Sequence, residues 1–115
     1  MDTINFEDFK KLEIRIGKIL SATPIERSDK LLKLEVDFGL SGTGEPLRRQ
    51  ILAGIAKFYA PEELIGKECP FVYNLAPRAL MGLESQGMIL CPSDRDGNPV
   101  IMHPDKEVEA GALVK

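Results

Sequence analysis

Strict alternation of apolar and charged side chains constrains the fold of this chain more than any other feature. It is clearest in the order Leu32, Lys33, Leu34, Glu35, Val36, Asp37, Phe38. A period of two places successive side chains on opposite faces of a β-strand and does not match a helix. The same period is found from Leu12 through Ile14, Ile16 and Gly17 to residue 22. Both stretches predict strands with one face in a core, the earlier one bent at its glycine.

The remainder of the chain has the pattern of short strands separated by turns and single helical turns. Three further strands are predicted over residues 48–53, 69–73 and 87–91, and a turn over residues 94–98 leads into a last strand at 100–102. Residues 5–11 predict a short amphipathic helix with Asn5 as N-cap and with Phe6 and Phe9 on its apolar face. Residues 55–65 predict short helical turns, the second beginning at Pro61.

Composition favours a small β-rich domain. Ten glycines and eight prolines in 115 residues favour turns over long helices, and a hydrophobic fraction of 43% is ordinary for one globular core. We therefore expect a single all-β domain over residues 1–115. The sequence has neither a basic leader nor an apolar run of about 20 residues, which predicts a cytoplasmic protein that does not span a membrane. Cys69 and Cys91 lie in apolar, strand-like settings and predict buried thiols, with a disulfide as the less favoured alternative.

Charge is unevenly distributed along a chain of net charge −3. Residues 10–57 contain ten Lys and Arg against six Asp and Glu, whereas residues 58–115 contain five against nine. This segregation is compatible with a basic patch on an acidic protein, and equally with ordinary surface variation. Net charge alone therefore does not exclude a nucleic-acid ligand.

The segment NLAPRALMGLESQGMIL, residues 74–90, has the pattern of a recognition surface. It contains hydrogen-bonding side chains at Asn74, Arg78, Ser85 and Gln86 between residues that restrict or widen the backbone angles. Simpler explanations compete with this one. Arg78 could pair with Glu84, Ser85 and Gln86 could satisfy turn backbone, and Met88 could belong to the core.

Five strands with a short helix between the third and the fourth fit the OB-fold, a five-stranded Greek-key barrel whose outer face and loops often bind oligonucleotides. A fold does not establish a function by itself. The ligand has to be argued from the residues.

Five blocks of the sequence resemble a known family in order and without large gaps. They are LEIRIGKI, SDKLLKLEVDFG, RQILAGIAKFYAPEELIGK, NLAPRALMGLESQGMIL and HPDKEVEAGALVK, and together they extend from about Phe6 to Lys115. They resemble the tRNA-binding domain found at the C-terminus of many methionyl-tRNA synthetases. The same domain occurs in free-standing dimeric tRNA-binding proteins, in small secretion chaperones and in a synthetase-associated cytokine precursor.

The resemblance implies an OB barrel whose N- and C-terminal extensions form a homodimer, binding tRNA by shape at the outer corner of the L. It implies no cofactor, and it makes a methionyl-tRNA synthetase catalytic domain a possible partner. The implied contact residues are Lys30, Lys33, Arg48, Arg49, Asn74, Arg78, Ser85, Gln86 and Met88. Ala76 and Ala79 stand where many members carry Lys, and Met81 where many carry Arg. Because each missing basic side chain removes a phosphate contact, we expect a modest affinity for tRNA.

Catalytic and metal sites have little support in the residues. His103 is the only histidine and has no cysteine at ligand spacing, and the turn at 94–98 lacks the bidentate Glu of a calcium loop. Ser85 has no histidine nearby that could act as its base. The prediction is a non-catalytic tRNA-binding module, free-standing or part of a methionyl-tRNA synthetase. The alternative is a dimeric, peptide-binding protein like the secretion chaperones.

Overall fold

The computed structural model describes residues 2–115 and is built almost wholly from strands and turns. In chain order the elements are α1 (Phe6–Phe9), β1 (Ile14–Pro24), β2 (Leu32–Leu40), β3 (Pro46–Ala53), α2 (Pro61–Leu64), β4 (Glu68–Val72), β5 (Arg78–Leu80), β6 (Leu83–Ser85), β7 (Met88–Ile89) and β8 (Leu113–Val114). Both helices are a single turn long. The prediction of an all-β class with short helices is confirmed.

One antiparallel sheet carries the fold, in the order β3-β2-β1-β4-β7, with β8 pairing with the start of β1. Its five main strands correspond to five predicted strands, the first two from alternation and the other three from the pattern of short strands separated by turns. β1 is long enough to pair with β2 along its second half and with β4 along its first half. A strand that changes partners in this way curls the sheet, and this matches the expected OB-type barrel.

Alternating residues of these strands fill a continuous core. The fully buried large side chains include Ile19, Leu34, Val36, Ile51, Leu64 and Phe71. Phe38 is 2% exposed and meets the ring of Phe71 edge to face, with ring centroids 5.5 Å apart. The predicted alternation of β2 is confirmed residue by residue, because its odd-numbered members Lys33, Glu35 and Asp37 all lie toward the outer face.

Three local predictions are wrong. The first strand begins at Ile14 instead of residue 12, and Leu12 is 48% exposed beyond its start. Residues 100–102 form no strand, because the turn held by Asp94 leads only to an isolated bridge between Ser93 and Pro99. Residues 78–85, for which no strand is predicted, fold into the hairpin of β5 and β6.

The N-terminal helix is capped as predicted, since the Asn5 Oδ1 accepts a hydrogen bond from the Asp8 N–H at 2.8 Å. Its apolar face stays uncovered within the chain: Phe6 is 68% and Phe9 38% exposed. Near the other terminus, Leu113 and Val114 of β8 are also exposed. β8 pairs with the first two residues of β1, just after α1, so both uncovered stretches lie near the same end of the barrel.

The two cysteines are both free thiols. Cys69 is fully buried in the core as predicted, whereas Cys91 is only partly buried. Across residues 2–115, no helix has the length and apolar character needed to cross a membrane. Over the same residues no group of three metal-ligating side chains comes together.

Candidate nucleic-acid interface

Arg49 stands at the centre of the candidate surface. Its guanidinium lies over the ring of Tyr73, 3.5 Å from the ring centroid, and donates from Nη1 to the carbonyl oxygens of Tyr73 and Gln86. Arg15 approaches the same ring at 5.5 Å and is itself held by Glu13. A guanidinium fixed by stacking and by backbone acceptors loses little further entropy when it meets a ligand.

Asn74 secures the loop that follows β4. Its Oδ1 accepts from the Glu13 N–H at 2.8 Å, and its Nδ2 donates to the Lys11 carbonyl at 2.7 Å. Both ends of the amide are therefore used across more than 60 residues of sequence. Asn74 borders a hollow formed with Arg49, Tyr73, Glu13, Ala76 and Gln86, called here the loop hollow. The structure thus gives Asn74 a scaffolding role beside the predicted contact.

The outer face of β2 and β3 forms a second depression, the strand-face hollow, lined by Lys33, Arg48, Arg49, Gln50 and the end of β1. Because paired residues share a face, Glu35 projects beside Gln50, and Asp37 beside Arg48. Arg48 lies 3.9 Å from the Glu35 carboxylate, and both side chains are more than half exposed. Such a pair adds little stability and leaves Arg48 free to exchange partners.

Ser85 and Gln86 close the barrel. The Leu52 N–H donates to Ser85 Oγ at 3.0 Å, and that hydroxyl donates to the Gly87 carbonyl at 3.1 Å. The Gln50 N–H donates to Gln86 Oε1 at 3.0 Å, while the Gln86 N–H donates back to the Gln50 carbonyl at 2.8 Å. Polar side chains here replace a regular ladder between β3 and residues 84–87. Since Ser85 is only 2% exposed, its predicted ligand contact stays a prediction beside an observed internal role.

Arg78 and Met88 line a third depression, the Met88 hollow, together with Leu52, Gly54 and Cys91. Met88 is 40% exposed, so it belongs to the surface as much as to the core. In the hairpin Arg78 pairs with Ser85 and Ala79 pairs with Glu84. Arg78 and Glu84 therefore project from opposite faces, and no ion pair joins them in the described part of the chain.

Two of the hollows share a residue, because Arg49 borders both the strand-face hollow and the loop hollow. Lys33 lines the strand-face hollow, and its cross-strand partner Leu52 lines the Met88 hollow beside Arg78. Seven of the nine predicted residues line at least one of the three hollows, and the eighth, Ser85, is buried and accepts from the Leu52 N–H. Lys30 is the exception: its carbonyl accepts from Ala56 in the turn before β2, and it borders none of the three hollows.

Sequence reasoning missed Tyr73 and Glu13. Tyr73 had been assigned only to a strand, yet its ring carries Arg49 and its carbonyl accepts from that guanidinium. Glu13 positions Arg15 and lines the loop hollow. Tyr73 stands directly before the NLAPR block, and an aromatic residue at a strand end beside a polar loop is the one signal that pointed to it.

The family model described as "Putative tRNA binding domain" matches residues 14–113, which contain β1 to β7 and all of the residues of the three hollows except Glu13. The chain belongs to this family. A curated relative is the methionine–tRNA ligase of Porphyromonas gingivalis, 50% identical over 114 residues, which are 99% of this chain. They are only 16% of that enzyme, so the chain spans about a sixth of the length of the ligase.

Solved structures of family members have the same barrel. A MetRS-related protein from Pyrococcus horikoshii is 38% identical, covers all of both chains and superposes with a TM-score of 0.89. The chaperone CsaA from Bacillus anthracis is 32% identical over 99% of this chain and 100% of its own, with a TM-score of 0.84. The resemblance found in the sequence is confirmed, and it includes both the synthetase-related and the chaperone branches.

Proposed function

We propose that this chain is a non-catalytic tRNA-binding module and that its tRNA-binding surface is the one that the three hollows form together. One observation carries the proposal: Lys33, Arg49 and Arg78 lie along that surface in a member of the tRNA-binding domain family. Within residues 2–115, neither Lys33 nor Arg78 has a carboxylate within ion-pair distance. These cations can therefore neutralise phosphates without first breaking an internal pair.

The chemistry of the surface suits recognition by shape. Glu35 and Asp37 lie among the cations of the strand face, so the surface is mixed in charge instead of strongly basic. Arg49 offers a planar guanidinium, and Met88 an adaptable apolar contact. A folded RNA presents backbone and 2′-hydroxyls in a fixed arrangement, and such a surface can match them without reading a base sequence.

Modest affinity is useful if the module is tethered. In the ligase relatives the matching residues are a small part of a much longer chain. A weak tRNA site joined to a catalytic domain, on one chain or through association, raises the local tRNA concentration and can improve capture by orders of magnitude. We therefore propose this accessory role in the cytoplasm, with a methionyl-tRNA synthetase as the partner.

A tRNA titration at low and at physiological salt tests the proposal. We expect the affinity of the unmodified protein to fall steeply with salt, because phosphate neutralisation releases counterions. The double variant Lys33→Ala with Arg78→Ala should bind about tenfold more weakly, and its log–log salt slope should be smaller by roughly two.

The charge-matched control is Lys106→Ala with Lys115→Ala, which removes two exposed cations that border none of the hollows. It should bind tRNA nearly as well as the parent. Equal weakening by both double variants would show only a non-specific effect of net charge. A salt-independent affinity would count against phosphate recognition altogether.

Peptide binding is the second candidate, favoured by the likeness to the CsaA chaperone. Suppression of aggregation of a denatured client protein, measured beside the tRNA titration, separates the two. Strong suppression that survives the Lys33→Ala and Arg78→Ala changes, together with no tRNA binding at low salt, would replace the RNA proposal. We expect tRNA binding at low salt and little suppression of client aggregation.

We further propose that α1 and β8 form a homodimer contact. Phe6, Phe9, Leu113 and Val114 are exposed near one end of the barrel, and burying them would remove apolar area from water. Light scattering at micromolar concentration should give twice the chain mass, and Phe6→Ser with Phe9→Ser should give the single mass. The control Phe58→Ser, an exposed phenylalanine near α2, should stay dimeric. A monomeric parent would contradict this contact.

A further inference from the structure

The pairing of β4 with β7 places the two cysteines opposite each other. Phe71 pairs with Ile89, and the Leu90 N–H donates to the Pro70 carbonyl at 3.0 Å, which extends the same register by one residue. Continued one step beyond this bond, the same register sets Cys69 opposite Cys91. The proximity is also evident in the influence of Cys91 on the ionisation of Cys69.

The geometry of that position suits a covalent bond. Pro70 and Leu90 form a hydrogen-bonded pair of the antiparallel ladder. Pairs of the two kinds alternate along such a ladder, so the neighbouring pairs, including Cys69 with Cys91, are of the non-hydrogen-bonded kind. Residues in such pairs have Cα atoms about 4.5 Å apart and side chains close together, within the range of about 4.4–6.8 Å that disulfides span. Period two also places both thiols on the core side, because Cys69 is a core residue and Ile89 packs against the core.

We propose that Cys69 and Cys91 form an oxidisable pair that closes into an intrachain cross-strand disulfide. This modification site is independent of the tRNA-binding proposal. The free thiols of the structure represent its reduced state.

Accessibility sets the order of the steps. Cys91 borders the Met88 hollow, whereas Cys69 is fully buried. The Cys91 thiolate attacks one sulfur of a low-molecular-weight disulfide, which forms a mixed disulfide and releases one thiol. The Cys69 thiolate then attacks Cys91 Sγ and releases the second thiol. The protein loses two protons and two electrons, and the oxidant takes up both and is reduced to two thiols.

Burial makes the reaction slow at neutral pH. Desolvation raises the pKa of Cys69 to about 11; the charges of Cys91 and Glu68 add to the rise, and the positive charge of Lys67 opposes it. Burial also raises the pKa of Cys91. Since the thiolate is the nucleophile, few molecules are reactive at any moment. Such a pair responds to a sustained oxidising environment and is insensitive to a brief one.

The bond would close a loop around much of the candidate interface. The chain between the two cysteines contains the loop after β4, the β5–β6 hairpin and the residues that close the barrel. It carries Asn74, Arg78, Ser85, Gln86 and Met88. Cross-linking the ends of a segment of this length restricts the unfolded chain and raises the stability of the folded one.

The experiment uses the full chain, reduced, unfolded and refolded at pH 8.5 with glutathione disulfide. We expect an intact mass lower by about 2 Da, no titratable thiol, and a tryptic species that joins the peptides 68–78 and 79–95. The oxidised protein should melt roughly 10 °C above the reduced one. Native reduced protein with the same oxidant should reach this product more slowly.

Variants of each cysteine provide the controls. Cys91→Ser and Cys69→Ala should each lose the 2 Da change and show no rise in melting temperature with oxidant. A parent that only gains glutathione at Cys91, or that cross-links between chains, would overturn the proposal. So would an oxidised form that melts below the reduced form, because the cross-strand geometry would then be strained.

Discussion

Replacing Gly87 by alanine is expected to lower the free energy of unfolding by about 3 kcal/mol. Gly87 has a φ of +149°, where side chains are strongly disfavoured, and an added Cβ would lie 2.9 Å from the Val72 carbonyl oxygen and 3.2 Å from Ile51 Cδ1. The carbonyl belongs to β4 and cannot rotate away. The residues that close the barrel against β3 would have to shift, and urea unfolding followed by circular dichroism measures the cost.

Gly82→Ala is the matched control. Gly82 also has a positive φ, +77°, but an added Cβ meets nothing within 4 Å. Only the conformational cost of a left-handed residue applies there, about 1 kcal/mol. The difference in the free energy of unfolding between the two variants therefore measures the cost of the steric clash at Gly87. Equal losses of stability would show that the barrel closure is loose enough to absorb a methyl group.

The alternation of residues 32–38 could predict β2 because the period of a strand is local and one face of this strand is buried. The same reasoning identified β1, and the spacing of turn residues identified the other three strands of the main sheet. It failed at residues 78–85, where the turn between β5 and β6 uses Met81 at φ +52° followed by Gly82. A type I′ turn favours Asn-Gly or Asp-Gly, so Met-Gly gave no hairpin signal. β8 was missed because two residues carry too little pattern.

The candidate site was predicted in its residue types and only partly in their roles. The pattern of the loop and the family resemblance identified the polar residues between 74 and 88, and most of them line the three hollows, as Lys33 and Arg49 do. The partners of Asn74 lie 61 and 63 residues away along the chain. No local pattern encodes such a distance. A residue that holds a recognition loop in place and a residue that touches the ligand therefore look alike in a single sequence.

Ser85 offers the sharpest test of that distinction. Ser85→Ala is expected to lower the free energy of unfolding by about 2 kcal/mol, because the Leu52 N–H loses its acceptor and the Gly87 carbonyl loses a donor inside the barrel wall. Chemical unfolding gives this loss directly, and tRNA titration of the folded variant gives the effect on binding. If the hydroxyl acts only inside the protein, the folded variant should keep an affinity within about twofold of the parent.

A ligand contact predicts the opposite combination. Losing a hydroxyl that touches RNA would weaken tRNA binding and leave the free energy of unfolding nearly unchanged. The control for stability is Ser93→Ala, at an exposed position before the 94–98 turn, where we expect almost no loss of stability. Unchanged stability of Ser85→Ala would contradict the internal role, since a buried donor without a partner costs about 1–3 kcal/mol. Ser85 is 2% exposed, its hydroxyl accepts from the Leu52 N–H of β3, and it donates to the Gly87 carbonyl among the residues that close the barrel. We therefore expect the loss in stability.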